Sequence, residues 1–194
     1  MIKKHAFIIG NGTSRKEFDL NSLQGGTVFG CNALYREYMP DYLVSIDDGI
    51  IQEIMKSEFP KDKFIVPPLE EQWEPAECNR NRPRSNAGMN AMHEAIKMGH
   101  KLLFCLGVDF LIWDEAQSVS NIYEGSANYG PELKANFNDN VGRIRYLQWF
   151  AKKHKDVAFY FVFQPTALLT SIPDCDNIGF ITYENMKEYM RNPS

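Results

Sequence analysis

Ala6-Phe7-Ile8-Ile9-Gly10-Asn11-Gly12-Thr13-Ser14 is an apolar run that ends in a Gly-x-Gly turn. A short apolar run without polar alternation suits a strand buried on both faces. A glycine turn directly after it suits the carboxyl end of such a strand. The same pattern recurs along the chain. Thr27–Cys31, Tyr42–Ile46, Phe64–Val66, Leu102–Leu106, Val157–Phe163 and Ile178–Ile181 all read as short strands. Helical spacing lies between them. Ile50, Ile51, Ile54 and Met55 form one stripe before Pro60. Ala87 to Met98 carries another, with Ser85 or Asn86 as its N-cap and Gly99 as its C-cap. Phe137, Val141, Ile144, Leu147 and Ala151 make a third, with Lys152, Lys153 and His154 in its last turn. Alternating strands and helices predict an α/β fold. We expect a single Rossmann-like domain over 1–194, with a mostly parallel sheet of six or seven strands and helices on both faces.

Two stretches break this rhythm. Pro67 to Arg84 is polar and proline-rich, and 111–136 has no periodicity. The second reads as an irregular lid, since long structureless loops commonly carry function. In an open parallel sheet, ligands sit beyond the carboxyl ends of the strands. The residues that follow each strand are therefore the candidates.

The 194 residues suit one domain. Lys plus Arg is 21 against Asp plus Glu 25, a net charge of −4, which argues against a dedicated nucleic-acid binder. No apolar run approaches the ~20 residues of a membrane span, and the first residues lack the pattern of a signal peptide. Cys31, Cys78, Cys105 and Cys175 are too scattered for a zinc knuckle or a redox pair. Buried free thiols in a reducing cytoplasm are the expectation. The histidines, His5, His93, His100 and His154, read as structural or surface residues.

Gly10 and Gly12 allow close backbone approach to a ligand. The turn's N–H groups, with the Thr13 and Ser14 hydroxyls, suit a phosphate. Arg15 stands where a dinucleotide fingerprint has its third glycine, and Asn32 follows the second strand where a ribose-binding acid would be expected. Both argue against a nicotinamide enzyme. Asp47 and Asp48 end the third strand and suit a ribose hydroxyl, a metal or a base, or equally the cap of the next helix. Arg80, Arg82 and Arg84 precede the second helix, where Arg forks suit phosphate or carboxylate. They read equally as charge balance for Glu70, Glu71, Glu74 and Glu77. Asp109 follows the fifth strand, either as a ligand contact or as an acceptor for turn amides. Tyr123 and Tyr129 in the lid are candidates to hold a phosphate.

The order of these motifs resembles bacterial sialyltransferases of the lipooligosaccharide type. The first block runs from Lys3-Lys4 through the Gly10–Ser14 turn, Lys16-Glu17 and Asp19 to Val28-Phe29-Gly30-Cys31-Asn32. The second runs from Arg84–Gly88 through Met98-Gly99-His100-Lys101 to Gly107-Val108-Asp109-Phe110. The third runs from Tyr146–His154 to Gln164-Pro165-Thr166-Ala167-Leu168-Leu169. Flagellin-modifying glycosyltransferases and archaeal pterin diphosphokinase-like proteins have related folds. The resemblance implies a domain that binds a nucleotide-activated sugar, typically a cytidine monophosphate sugar, without a metal.

Carried over by position, Asn11 and Gly12 would lie against the nucleotide phosphate and Asn32 against base or ribose. Asp47 stands near a family asparagine. Asn86 and Ala87 stand where the family has a Thr-Ser pair, with Ser85 adjacent, and Asp109 matches a family aspartate. The family's catalytic histidine has no counterpart, because no histidine lies between His100 and His154. A carboxylate such as Asp114, Glu115, Glu124 or Asp139 must replace it, or the chemistry differs.

The reading taken forward is a glycosyltransferase using a nucleotide sugar as donor and a small or glycan acceptor. Gly10, Asn11, Gly12, Thr13, Ser14, Asn32, Ser85, Asn86 and Gly88 would bind the nucleotide. Asp47, Asp109 and Glu124 are the catalytic candidates. Arg80, Arg82, Arg84, Tyr123 and Tyr129 would hold the phosphate or a substrate anion. The alternatives are a nucleotide transferase or diphosphokinase with magnesium on Asp47 and Asp48, and a non-catalytic nucleotide-binding module. A homo-oligomer is left open.

Overall fold

Each side chain of Ala6–Ile9 is buried, and this strand, β1, stands in the middle of the sheet. In the computed structural model, which describes residues 5–113, 121–130 and 137–192, six further strands join it. They are β2 (Thr27–Cys31), β3 (Tyr42–Val44), β4 (Phe64–Ile65), β5 (Leu102–Leu106), β6 (Ala158–Phe163) and β7 (Ile178–Thr182). The order is β4-β3-β2-β1-β5-β6-β7 and every pairing is parallel. Ile9 stands opposite Gly30 on one side and Leu106 on the other. All seven strand readings are thus found, two of them with the same ends and the others shifted by one or two residues. The α/β, Rossmann-like architecture is as expected.

Strand alternation divides the core. Ala6 and Ile8 face one layer with Phe29, Cys31, Leu103, Cys105 and Phe161. Phe7 and Ile9 face the other with Val28, Leu43, Phe104 and Leu106. Helices α1 (Asp48–Lys56) and α4 (Tyr183–Arg191) cover the second layer through Ile50, Ile54, Tyr183 and Met186. Helices α2 (Ala87–Lys97) and α3 (Phe137–Lys153) cover the first through Met89, Met92, Ala95, Leu147, Phe150 and Ala151. Handedness explains the division. The β3–α1–β4 crossover runs toward one edge of the sheet, whereas those through α2 and α3 run toward the other. Right-handed crossovers in opposite directions lie on opposite faces.

The caps follow the sequence. Asn86 is the N-cap of α2, its Oδ1 accepting from the Met89 N–H at 3.0 Å. Gly99, at φ 91°, turns the chain away after α2. Lys61 ends α1 by donating from Nζ to the carbonyls of Ile54, Ser57 and Phe59 at 2.7, 2.6 and 2.8 Å. In α3 the buried face includes Asn140, Leu147, Phe150 and Ala151, whereas Val141 is exposed. The sequence reading placed no helix after β7, yet α4 begins there, capped by Thr182 Oγ1 on the Asn185 N–H.

No α-helix follows β1. A short 3-10 turn over Thr13–Arg15 follows instead. Arg15 is buried beneath it, its Nε donating to the Gly10 carbonyl at 2.6 Å and its Nη2 pairing with Glu37 at 2.9 Å. No helix among the described residues is long and apolar enough to cross a membrane. All four cysteines are free thiols, with Cys31 and Cys105 buried.

Candidate functional site

A cleft of about 530 Å³ opens at the carboxyl ends of β1, β2, β3 and β5. The strand order reverses between β1 and β5, the point where open α/β sheets receive ligands. Gly10, Asn11 and Gly12 line it beside Gly107, Val108 and Asp109.

These two loops are laced together. Gly10 N–H donates to the Leu106 carbonyl at 2.8 Å, and Gly12 N–H to the Gly107 carbonyl at 3.0 Å. A Cβ on Gly10 would stand 2.6 Å from the Gly107 oxygen. The glycines therefore serve an approach of backbone to backbone, and their N–H groups are already used. Ser14 donates from its N–H to Asp109 Oδ2 at 2.9 Å and from its hydroxyl to Oδ1. Thr13 and Ser14 do not line the cleft. Of the donors expected to cradle a phosphate, the Gly10 and Gly12 amides and both donors of Ser14 are thus engaged within the protein. Asp109 does border the cleft, but its buried carboxylate binds the turn across both oxygens. Of the two roles read for it, the geometry matches the acceptor of turn donors. The Asn11 side chain faces the fold, donating to the Cys31 carbonyl at 2.9 Å and accepting from Arg15 at 3.3 Å.

Asn32 lines the cleft at φ 51°. Its Oδ1 accepts from Ser45 Oγ at 2.8 Å and its Nδ2 donates to Asp47 Oδ2 at 3.3 Å. Asp47 stands at the N-cap position of α1 without a side-chain cap bond, and lines the cleft instead. Asp48 lies in the first turn of α1, exposed and outside the lining, so the two carboxylates do not converge. Among the described residues no cluster of three or more His, Cys, Asp or Glu is suited to hold a metal. No histidine among the described residues lines the cleft. Cys31 does, but its thiol is packed in the core and burial pushes its pKa up to about 12.

Ser85, Asn86, Ala87 and Gly88 bring the N-terminus of α2 to the same wall. The three arginines before it are placed otherwise. Arg80 is exposed and outside the lining. Arg82 pairs with Glu70 at 2.6 Å. Arg84 donates to the Ile46 carbonyl and to Gln72 Oε1, the latter at 2.8 Å, and lies 5.8 Å from the Trp73 ring centre. They form no positive cleft mouth. Arg82 balances Glu70, and Arg84 braces the chain before Asp47. Among the described residues the cation that lines the cleft is Arg143, from α3. The sequence reading missed it, although it lies four residues before Leu147 on the buried side of α3.

Of the expected lid, 121–130 forms a cleft wall through Asn121, Glu124, Asn128, Tyr129 and Gly130. It is pinned to the body. Ile122 N–H donates to the Asn11 carbonyl at 2.9 Å. Arg36 donates to Ser126 Oγ and the Ala127 carbonyl at 2.8 and 3.0 Å while pairing with Glu53 at 2.7 Å. Tyr123 does not line the cleft. Its hydroxyl donates to Glu37 at 2.6 Å, and burial raises its pKa. Tyr129 lines the cleft, with its hydroxyl accepting from Ala33 N–H at 3.4 Å and its pKa pushed up to about 12 by burial. Asp139 is exposed and outside the lining, and Asp114 and Glu115 lie outside the described residues. The carboxylates brought to the cleft are thus Asp47, Asp109 and Glu124, of which Asp47 and Glu124 are exposed.

No protein-family model, curated protein or solved structure matches this chain.

Proposed function

We propose that the protein binds a nucleotide-activated sugar in this cleft and transfers the sugar, as a sialyltransferase-like glycosyltransferase. The supporting observation is a single cleft at the sheet's switch point, walled at once by the ends of four strands and the N-termini of α1 and α2. Its volume of about 530 Å³ falls among those of small-molecule sites. The order of the three sequence blocks favours a cytidine monophosphate sugar as donor.

In this reading the acceptor oxygen attacks the anomeric carbon, the bond from that carbon to the phosphate oxygen breaks, and the acceptor proton passes to a carboxylate. Asp47 suits that last role. It lines the cleft, stays exposed to a neutral acceptor, and is oriented by the Asn32 amide. Glu124 is the alternative base on the opposite wall.

Titration calorimetry with cytidine, uridine, guanosine and adenosine nucleotides, with and without magnesium, tests the reading. Cytidine nucleotides should bind without magnesium. Asp47→Asn should lower turnover of the donor about 100- to 10,000-fold while leaving nucleotide affinity within a few-fold. Absence of nucleotide binding would sink the proposal. A strict need for magnesium would move the assignment to a nucleotide transferase or diphosphokinase. Binding without turnover of any donor, hydrolysis included, would leave a nucleotide-binding module.

A further inference from the structure

Three of the side chains first expected to hold a phosphate are engaged elsewhere. Tyr123 donates to Glu37, Arg82 pairs with Glu70, and Arg84 grips the Ile46 carbonyl and Gln72. One wall of the cleft is built in the opposite way. Arg143 reaches it from α3, and among the described residues no carboxylate stands within ion-pair distance of it. Burial pushes its pKa below the ordinary arginine value, and the more distant charges of Asp139, Glu74 and Asp47 act against that. Arginine keeps its proton throughout the accessible pH range. A partly desolvated guanidinium therefore faces the cleft with no counterion in contact.

The N-terminus of α2 belongs to the same wall. Three residues after Arg143, and so on the same side of α3, Tyr146 lies beside Ser85 at the start of that wall. The next residue, Asn86, spends its Oδ1 on the Met89 N–H, whereas its Nδ2 is buried without an acceptor. A buried donor without a partner is uncommon and calls for an explanation. Ala87 and Gly88, in the first turn of this 11-residue helix, line the cleft where its unpaired amides and positive dipole end gather.

We infer that Arg143, Asn86 Nδ2 and the first-turn amides of α2 form a subsite for a phosphate group. The inference rests on the nucleotide reading only for the source of that phosphate. The donors themselves suit inorganic phosphate equally. A guanidinium fork and helix amides present N–H groups to several phosphate oxygens together.

Calorimetric titration of inorganic phosphate, cytidine monophosphate and cytidine into the full chain separates the sources. The wild type should bind cytidine monophosphate about 10- to 100-fold more tightly than cytidine. Arg143→Ala should erase that advantage and leave cytidine affinity unchanged. Arg143→Lys should restore part of it, as a point charge without the fork. Asn86→Asp guards against a folding artefact, because Asp caps a helix as well as Asn does. It replaces the Nδ2 donor by an anionic oxygen and should abolish phosphate binding in a chain that still melts cooperatively.

Equal affinity of wild type and folded Arg143→Ala for cytidine monophosphate would overturn the subsite and leave the nucleotide reading standing. So would equal binding of nucleotide and nucleoside by the wild type. Phosphate binding that depends on Arg143, with no contribution from the nucleoside, would support the subsite and overturn the nucleotide reading. Failure of all three ligands to bind would overturn both.

Discussion

Asp109 ties the first turn to the end of β5, because its two oxygens take both donors of Ser14. The space around it is closed. A Cβ on Gly12 would lie 2.2 Å from the Asp109 carboxyl carbon. Asp109→Asn turns an amide NH2 toward one Ser14 donor, and should cost about 1–3 kcal/mol of stability in urea denaturation. Gly12→Ala should cost a similar ~1–3 kcal/mol by overpacking. Ser14→Ala and Asp109→Asn should combine to less than the sum of their separate costs, since they remove one shared contact. An Asp109→Asn variant as stable as the wild type would return the carboxylate to the catalytic candidates. The sequence located Asp109 correctly at a strand end. It left two roles open, because spacing shows where a residue falls and not which donors turn toward it.

At the scale of elements, the deciding contact is between the 121–130 wall and α1. Glu53 of α1 accepts from Arg36 and from Asn128 Nδ2, the latter at 2.8 Å, and Arg36 also holds Ser126 and Ala127. Hydrogen bonding from Arg36 is the largest influence on Glu53 and, against the opposing effect of burial, lowers its pKa from 4.5 to about 2. A depressed carboxylate pKa gives stability that is full above the unfolded value and lost as pH falls through the folded one. The stability difference between wild type and Glu53→Gln should therefore be constant near neutral pH and shrink between about pH 4.5 and 2. Near solvent it should not exceed about 1 kcal/mol. Arg36→Ala should speed amide exchange at Ser126 and Tyr129, whose N–H groups bond within the segment, about tenfold or more. Exchange in β1 and β5 should stay unchanged. None of this docking was legible in the sequence, since Arg36, Glu53 and Asn128 are far apart in the chain and belong to no shared pattern. The strands were legible because central parallel strands are apolar on both faces. Helix α4 was not, because Tyr183 and Met186 are its only buried residues and Glu184, Lys187 and Glu188 surround them.

At the scale of the molecule, the order of strands decides where chemistry can happen. The β4-to-β5 crossover carries the chain past β1, and the cleft opens at the carboxyl ends of the strands around that reversal. Strand–helix alternation pointed to the carboxyl ends of the strands, where Asn11, Asn32, Asp47 and Asp109 do line the cleft. It misjudged the source of positive charge, because the run Arg80, Arg82, Arg84 stands out in a sequence while Arg143 is hidden in a helical stripe. The difference can be measured. The whole chain carries a net charge of −4, so its long-range field opposes an anionic ligand. Were the phosphate held by exposed arginines, salt would screen the attraction strongly over the Debye lengths between about 20 and 200 mM. A partly desolvated Arg143 beside a helix N-terminus is screened far less, and salt also weakens the unfavourable long-range field. The dissociation constant for cytidine monophosphate should then change by less than about threefold across that range. A tenfold or greater loss would place the phosphate on the exposed arginines instead.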